Sequence, residues 1–159
     1  GASAGGNLAA AVALLARDRG DPKLLLQMLI YPALDDRDIA PASDTLPDTL
    51  FIDRANARRA WRAYLGREPG DPDVDAYAAP QRAVDLSGVA QAYIAVGDID
   101  LFADENVEYA RRLIGAGVPT ELHVYPGAYH AFDVFTPQGR ISQQFVADRN
   151  ATLRRLLRC

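Results

Sequence analysis

The stretch Gly1-Ala2-Ser3-Ala4-Gly5-Gly6-Asn7-Leu8-Ala9-Ala10 decides how the rest of the chain is interpreted. It reads G-x-S-x-G and runs directly into an alanine-rich segment with helical spacing. This pattern is typical of a nucleophile elbow, a sharp strand-to-helix turn that exposes a serine hydroxyl. Small residues around Ser3 suit a strained backbone, and the N–H of Ala4 would point toward a developing oxyanion. Because G-x-S-x-G also arises by chance, other segments have to support this interpretation.

Length and composition indicate a single globular domain. The chain has 159 residues and a net charge of −4, without a basic arm that would suit nucleic acid. No apolar run approaches the roughly 20 residues that a transmembrane helix needs. Its one cysteine, Cys159, excludes an intrachain disulfide and a cysteine zinc cluster. We therefore expect a cytoplasmic protein without metal or cofactor. Because a strand should precede an elbow, we also expect the chain to be the C-terminal part of a longer fold.

Apolar runs of strand length alternate with segments of helical periodicity. The predicted strands are residues 24–31, 92–96 and 120–125, and the predicted helices are residues 8–19, 53–66, 104–115 and 138–157. Strands separated by helices predict an α/β fold, a three-layer parallel sheet of about three strands flanked by helices. The apolar residues that carry the helical spacing are Leu8, Val12 and Leu15, then Ala57, Ala60, Trp61, Tyr64 and Leu65, then Val107, Ala110, Leu113 and Ile114, and finally Phe145, Leu153 and Leu156.

A long excursion separates the first two predicted strands. We expect residues 32–77 to form a lid or cap-like segment. It begins with a stretch rich in Pro, Asp and Ser, and it contains the helix that Asp53 caps and Gly66 ends. Trp61 and Tyr64 on this helix either shape a substrate pocket or belong to an ordinary packed helix.

A serine nucleophile needs a base, and the chain has two histidines. His123 lies inside a predicted strand between Leu122 and Val124, where a packed or partly exposed strand histidine is the ordinary interpretation. His130 follows a strand end, after a glycine and beside aromatic residues. With G-x-S-x-G upstream, His130 is the better candidate for the base.

The orienting acid should lie on the loop after the preceding strand. Asp98, Asp100, Asp104 and Glu105 all lie there. Asp104 and Glu105 begin a helix, where the helix dipole favours acids whatever their function. The pattern alone leaves Asp98 and Asp100 as alternatives, and either gives the chain order Ser, Asp, His that is found in α/β-hydrolases.

The sequence resembles the hormone-sensitive-lipase-like branch of the α/β-hydrolase fold, whose members are esterases and lipases. Residues 1–9 (GASAGGNLA) resemble its elbow G-D-S-A-G-G-N-L-A, residues 97–105 (GDIDLFADE) its G-x-x-D-P-L-x-D-E segment, and residues 125–132 (YPGAYHAF) its Y-x-G-x-x-H-x-F segment. Residues 83–88 and 115–119 also match stretches of the family. The likeness covers the whole chain, starting at the elbow.

The resemblance implies a serine carboxylesterase with a triad of Ser3, Asp100 and His130, and it thereby selects Asp100 over Asp98. It implies small-molecule ester substrates, no metal or cofactor, and a pocket to which Trp61, Tyr64, Leu101 and Phe132 contribute. Family members have Asp where Ala2 stands and Pro where Leu101 stands. Their H-G-G-G loop, which supplies further oxyanion donors, normally precedes the elbow.

Two other hypotheses belong to different classes. In the first, the chain is a non-catalytic α/β-hydrolase fragment that folds and self-associates. In the second, it is a binding module that holds an anion at the helix N-terminus formed by residues 1–6. We also expect the strand at residues 24–31 to lack a neighbour on one side. Because an unpaired edge attracts a second chain, this predicts a homodimer across that edge.

Overall fold

The computed structural model describes residues 1–37 and 52–157. Its centre is one parallel sheet in the order β1-β2-β3, formed by Gln27–Ile30, Ala92–Gly97 and Thr120–Tyr125. In the register, Leu29 lies opposite Ile94, and Ala95 lies opposite His123. The helices are α1 (Ala4–Arg19), α2 (Arg54–Leu65), α3 (Ala103–Gly115), α4 (Phe132–Phe135) and α5 (Arg140–Leu157), with a 3-10 turn at Pro80–Arg82.

The sheet lies between two helical layers, as the alternation of strands and helices predicts. On one face, Leu14 of α1 and Leu113 of α3 pack with Leu29 and Ile94 of the strands. On the other face, Phe145 of α5 joins a cluster that includes Ile30, Tyr93, Tyr125 and Phe132. Every residue of β2 is buried, because this strand is central and covered on both faces. The three-layer α/β fold is therefore confirmed.

The ends of α2 follow its capping residues. The carboxylate of Asp53 accepts a hydrogen bond from the backbone N–H of Asn56 at 2.7 Å. At the other end Gly66 adopts a left-handed conformation with φ 65°, which a glycine accepts without steric cost. These local signals explain why this helix begins and ends where the sequence predicts.

The buried faces of α1 and α3 differ from those that apolar spacing predicts. Leu8 and Val12 are half exposed, while small residues such as Ala10 and Ala13 are buried against the sheet. In α3, Val107 and Ile114 are exposed, and the residues turned inward are Asn106, Tyr109, Ala110 and Leu113. Small residues allow α1 to lie close to the sheet, so here size decides the buried face more than hydrophobicity does.

The outer edge of β1 is shorter and better paired than the sequence predicts. Only Gln27–Ile30 of the predicted residues 24–31 form the strand. The N–H of Ile30 donates to the carbonyl of Gly1 at 3.0 Å, and the nitrogen of Gly1 donates to the carbonyl of Met28 at 2.7 Å. Gly1 and Ala2 thus lie beside β1 as a parallel neighbour, and the expectation of a wholly unpaired edge is wrong.

The remaining differences concern the excursion and the C-terminal region. In residues 32–77, the structure describes 32–37 and 52–77, so the middle of the predicted excursion lies outside the described residues, as does Cys159. The loop predicted after β3 contains α4, and the last helix begins at Arg140. Phe145 is buried as predicted, whereas Leu153 and Leu156 are only partly covered. Within residues 1–37 and 52–157, every helix is too short or too polar to cross a bilayer.

Candidate active site

Ser3 lies in a strained turn between the segment beside β1 and the start of α1. Its backbone has φ 53° and ψ −125°, a conformation that non-glycine residues rarely adopt. The turn is fixed on both sides, because Ser3 N–H donates to the carbonyl of Ile30 at 2.9 Å and Ser3 carbonyl accepts from Asn7 N–H at 3.1 Å. A β-carbon on Gly1 would lie 2.0 Å from the carbonyl oxygen of Gly5. The first glycine of the motif is therefore required by this close approach.

A continuous chain of hydrogen bonds joins Ser3 to His130 and Asp100. Ser3 Oγ lies 2.9 Å from His130 Nε2, and His130 Nδ1 lies 2.9 Å from Asp100 Oδ2. His130 and Asp100 are almost completely buried, whereas Ser3 is partly exposed at the edge of a cavity. The structure thus brings together the three residues that the family resemblance selects.

The structure separates the two aspartates that the pattern alone leaves as alternatives. Asp98 is exposed, and its Oδ1 accepts a hydrogen bond from the N–H of Gly127 at 2.6 Å. Asp100 Oδ1 accepts from the N–H of Phe102 at 2.9 Å, which leaves Oδ2 to face His130. Asp98 therefore ties the two strand-end loops together, and Asp100 orients the imidazole.

The loop that carries His130 rests against the end of β2 at Gly97. A β-carbon on Gly97 would lie 1.9 Å from the carbonyl oxygen of Ala128. Only a residue without a side chain therefore allows the loop to approach this closely. This contact fixes the loop two residues before the histidine.

An apolar cavity of about 200 Å³ opens beside Ser3. Its lining residues are Ser3, Ala4, Asn7, Leu8, Ala33, Ile52, Ala57, Ala60, Trp61, Tyr64 and Phe102. Trp61 and Tyr64 of α2 are both part of this lining. Phe132 instead packs in the core with Tyr125 and Phe145, because it begins α4 on the far face of the sheet. Leu101 is also absent from the lining, and its neighbour Phe102 takes that place.

Three polar side chains, which the sequence interpretation does not single out for the site, hold the first residues of the excursion. Asn106 Nδ2 donates to the carbonyl of Pro32 at 2.8 Å, and Asn7 Nδ2 donates to the carbonyl of Ala33 at 2.8 Å. Glu105 Oε1 accepts from the N–H of Leu34 at 2.6 Å. We call these three side chains the excursion clamp. It connects the helix that follows Ser3 to the helix that follows Asp100.

Glu105 belongs to this clamp and is more than a favourable acid at a helix start. Burial of its carboxyl group raises the pKa of Glu105 well above its usual value, although hydrogen bonds from the backbone of Leu34 and Asp35 oppose this shift. Asp100, in the turn that precedes α3 and Glu105, is also almost completely buried. Sequence spacing does not report such burial, because the enclosing segment comes from about 70 residues earlier in the chain.

His123 lies in β3 and has different surroundings. Its Nε2 lies 2.8 Å from Glu121 Oε1, and its ring stacks on that of Tyr125 with 5.9 Å between centroids. The side chain is 27% exposed. These contacts agree with its interpretation as a partly exposed strand histidine.

Comparison with known proteins identifies the family. A family model described as alpha/beta hydrolase fold matches residues 1–134. This chain belongs to the alpha/beta hydrolase family. Among solved structures, the chain is similar to a bacterial heroin esterase, with a TM-score of 0.92, 40% identity and coverage of 100% of this chain and 51% of that one. It is also similar to esterase LipW from Mycobacterium marinum, with a TM-score of 0.90, 37% identity and coverage of 99% and 48%.

The curated relatives of this chain include further proteins named as esterases. Esterase LipI from Mycobacterium tuberculosis is 34% identical over 132 residues, which cover 83% of this chain and 41% of that protein. The arylesterase of Saccharolobus solfataricus is 35% identical over 137 residues, with coverage of 83% and 42%. The chain therefore spans about half the length of the solved relatives and about two fifths of the curated ones. All four of these relatives are named as esterases.

Proposed function

We propose that this chain carries the catalytic residues of a serine carboxylic ester hydrolase. The observation that carries the proposal is the hydrogen-bonded chain from Ser3 through His130 to Asp100, which opens on an apolar cavity. A serine hydroxyl, a buried imidazole and a buried carboxylate in this order are the groups that acyl transfer requires. The esterase names of the homologues support the same reaction class.

The proposed reaction has two stages. His130 Nε2 accepts the proton of Ser3 as Oγ attacks the ester carbonyl, and Asp100 stabilises the imidazolium through Nδ1–H. His130 then gives the proton to the leaving alcohol, which departs and leaves an acyl group on Ser3. Water attacks this acyl-enzyme with His130 again acting as the base, which releases the carboxylic acid and restores the serine.

The oxyanion of each tetrahedral intermediate needs hydrogen-bond donors. Ala4 is the first residue of α1, so its N–H has no acceptor within the helix, and it also borders the cavity. We assign the Ala4 N–H as one hydrogen-bond donor to the oxyanion, and the positive end of the α1 dipole further stabilises the negative charge. In subtilisin the loss of a single oxyanion donor lowers kcat by about 10²–10³-fold. Turnover therefore depends strongly on whether further donors act beside Ala4.

The cavity favours an apolar group on the substrate. Among the described residues 1–37 and 52–157, its lining includes Trp61, Ala57, Tyr64 and Phe102 and no charged side chain. A small alkyl or aryl group next to the reacting carbonyl would be favourably transferred from water to this apolar surface. A charged group at the same place would lose its hydration without gaining a polar partner. We therefore propose small uncharged esters as substrates.

A covalent serine probe tests the proposal. We expect a fluorophosphonate to label the chain and p-nitrophenyl acetate to be hydrolysed, with both reactions lost in Ser3→Ala. Ser87→Ala is the matched control, because Ser87 is an exposed loop serine that bonds to Asp85. Labelling that is equal in Ser3→Ala and the unchanged chain would contradict the proposal.

The non-catalytic, self-associating fragment remains the second candidate, and a homodimer across β1 its proposed form. Part of the β1 edge is covered by Gly1 and Ala2, but Leu25, just before the strand, is half exposed. Sedimentation velocity should show a dimer that Leu25→Lys dissociates. A monomer at all concentrations would contradict the dimer, and the esterase proposal does not depend on it.

A further inference from the structure

Tyr31 occupies a strained position directly after β1. Its φ is 37°, which is unusual and strained for a bulky side chain. Its N–H donates to the carbonyl of Ala95 at 2.6 Å, and the residue is almost completely buried. The strain is thus maintained by the surrounding structure.

The ring of Tyr31 contacts the imidazole of His130. The two ring centroids are 4.8 Å apart with an interplanar angle of 64°, an edge-to-face contact. The same imidazole meets Phe102 at 5.2 Å with an angle of 80°. Two aromatic rings from different loops therefore restrict the orientation of the histidine.

The hydroxyl of Tyr31 reaches past the histidine to the helix that follows it. It donates to Asp133 Oδ1 at 2.7 Å, and Asp133 lies in α4, three residues after His130. Ala131 between them has φ 60°, so the backbone reverses direction immediately after the histidine. Burial and the adjacent Asp133 raise the pKa of Tyr31, so the phenol stays protonated and remains a donor.

We propose that Tyr31, anchored by Asp133, is a positioning residue that holds His130 in line with Ser3 and Asp100. This inference rests on the proposed ester hydrolysis. His130 has to keep two hydrogen bonds of 2.9 Å at once, although it lies on a loop. A displacement of about 1 Å at such a site can cost about 10²-fold in rate. Tyr31 touches the histidine ring directly, and its hydroxyl is hydrogen-bonded to the Asp133 side chain of α4. It therefore limits both rotation of the ring and movement of the loop.

A second hydrogen-bonded tyrosine–aspartate pair serves as a control, because its tyrosine contacts His123 and not His130. Tyr125 donates to Asp148 Oδ2 at 2.9 Å, and both tyrosines belong to the same hydrophobic cluster. Tyr125, however, stacks on His123. Tyr125→Phe therefore removes a similar buried hydrogen bond without touching His130.

The experiment compares Tyr31→Phe with Tyr125→Phe. We expect Tyr31→Phe to lower kcat for p-nitrophenyl acetate and the rate of fluorophosphonate labelling about tenfold, with KM nearly unchanged, because a partial misplacement costs less than the full effect. Tyr125→Phe should stay within twofold of the unchanged chain while losing a similar amount of Tm. Asp133→Ala should match Tyr31→Phe, and the double variant should be no slower than either single one.

Histidine NMR provides a readout that does not depend on catalysis. The ring signals of His130, assigned by their absence in His130→Gln, should shift in Tyr31→Phe and Asp133→Ala and stay in place in Tyr125→Phe. Full reactivity of Tyr31→Phe, or unchanged His130 signals, would overturn the inference. If the unchanged chain does not react with the probe, the proposed function fails, and the NMR comparison still decides whether Tyr31 positions the ring.

Discussion

The two histidines of this chain have similar neighbours but different geometry. Each lies beside a carboxylate and beside a tyrosine that donates to an aspartate. His123 uses Nε2 for Glu121, and its Nδ1 is 3.8 Å from Asp148. His130 has a carboxylate at Nδ1 and a serine hydroxyl at Nε2, each at 2.9 Å. The side-chain exposures are 27% and 4%.

The difference shows that a carboxylate neighbour does not by itself make a histidine a candidate base. His123 lies within β3, so its side chain meets others on the sheet face. His130 lies beyond the carboxyl end of β3, where the ends of neighbouring parallel strands bring loops together. Its position in the topology gives it both an acid and a nucleophile as partners.

The largest expected effect separates the two histidines directly. His130→Gln should lower the labelling rate of Ser3 and the kcat of ester hydrolysis about 10⁴-fold, because the hydroxyl loses its base. His123→Gln should change both by less than twofold. Pseudo-first-order labelling kinetics with a fluorophosphonate would measure the ratio. Comparable losses in the two variants would remove the functional distinction between the histidines.

A smaller effect is expected from the support of the His130 loop. Gly97→Ala should lower the unfolding free energy by about 1–3 kcal/mol, because the new methyl group collides with Ala128 and backbone has to move. Reactivity should fall by up to about 10²-fold as the histidine shifts. Gly115→Ala is the control, since a β-carbon there has no heavy atom within 4 Å. Urea unfolding and the labelling rate measure the two effects, and equal behaviour of both variants would contradict the close-contact argument.

The smallest effect concerns two carboxylates whose pKa values are shifted in opposite directions, Glu105 of the excursion clamp and Glu121 beside His123. Burial raises the pKa of Glu105, so the folded chain keeps this proton longer than the unfolded chain does, and stability is lost as pH rises above the unfolded value. Burial also opposes ionisation of Glu121, but hydrogen bonds from His123, Arg155 and Thr152 prevail and lower its pKa. The stability that Glu121 contributes is therefore lost as pH falls.

Glutamine variants test these signs. Glu105→Gln should raise Tm relative to the unchanged chain at pH 8 by about 2–4 °C, equivalent to roughly 1 kcal/mol, and this gain should disappear at pH 4. Glu121→Gln should lower Tm at pH 8 and have less effect as pH falls. Thermal melts across this range measure both differences. A gain for Glu105→Gln that is larger at pH 4 would show that the sign is wrong.

Much of the fold could be predicted because local signals agree with the topology. Strands β2 and β3 and the caps of α2 occur where Gly97, Asp53 and Gly66 indicate. Apolar spacing correctly predicts that Ala110 and Leu113 of α3 are buried, but it also turns Val12 and Ile114 inward, which are exposed. Small or polar residues such as Ala10 and Asn106 take buried positions that the spacing does not indicate.

The candidate site was predictable only where residues close in sequence form a motif. Ser3, Asp100 and His130 each belong to such a motif. Tyr31 and the excursion clamp depend on contacts between residues 26 to 102 positions apart, and a linear pattern does not contain them. The family resemblance places Phe132 at the pocket, but the left-handed Ala131 turns the backbone and directs Phe132 into the core.

The excursion clamp has a consequence for how this protein can change over generations. Asn7, Glu105 and Asn106 hold Pro32, Ala33 and Leu34 by their backbone atoms, so they place no demand on the side chains of these three residues. Substitutions after Leu34 can therefore alter the wall of the cavity beside Ser3 without passing their strain to the helices behind Ser3 and Asp100. The cavity lining can diverge over generations while the hydrogen-bonded arrangement of Ser3, His130 and Asp100 is inherited intact.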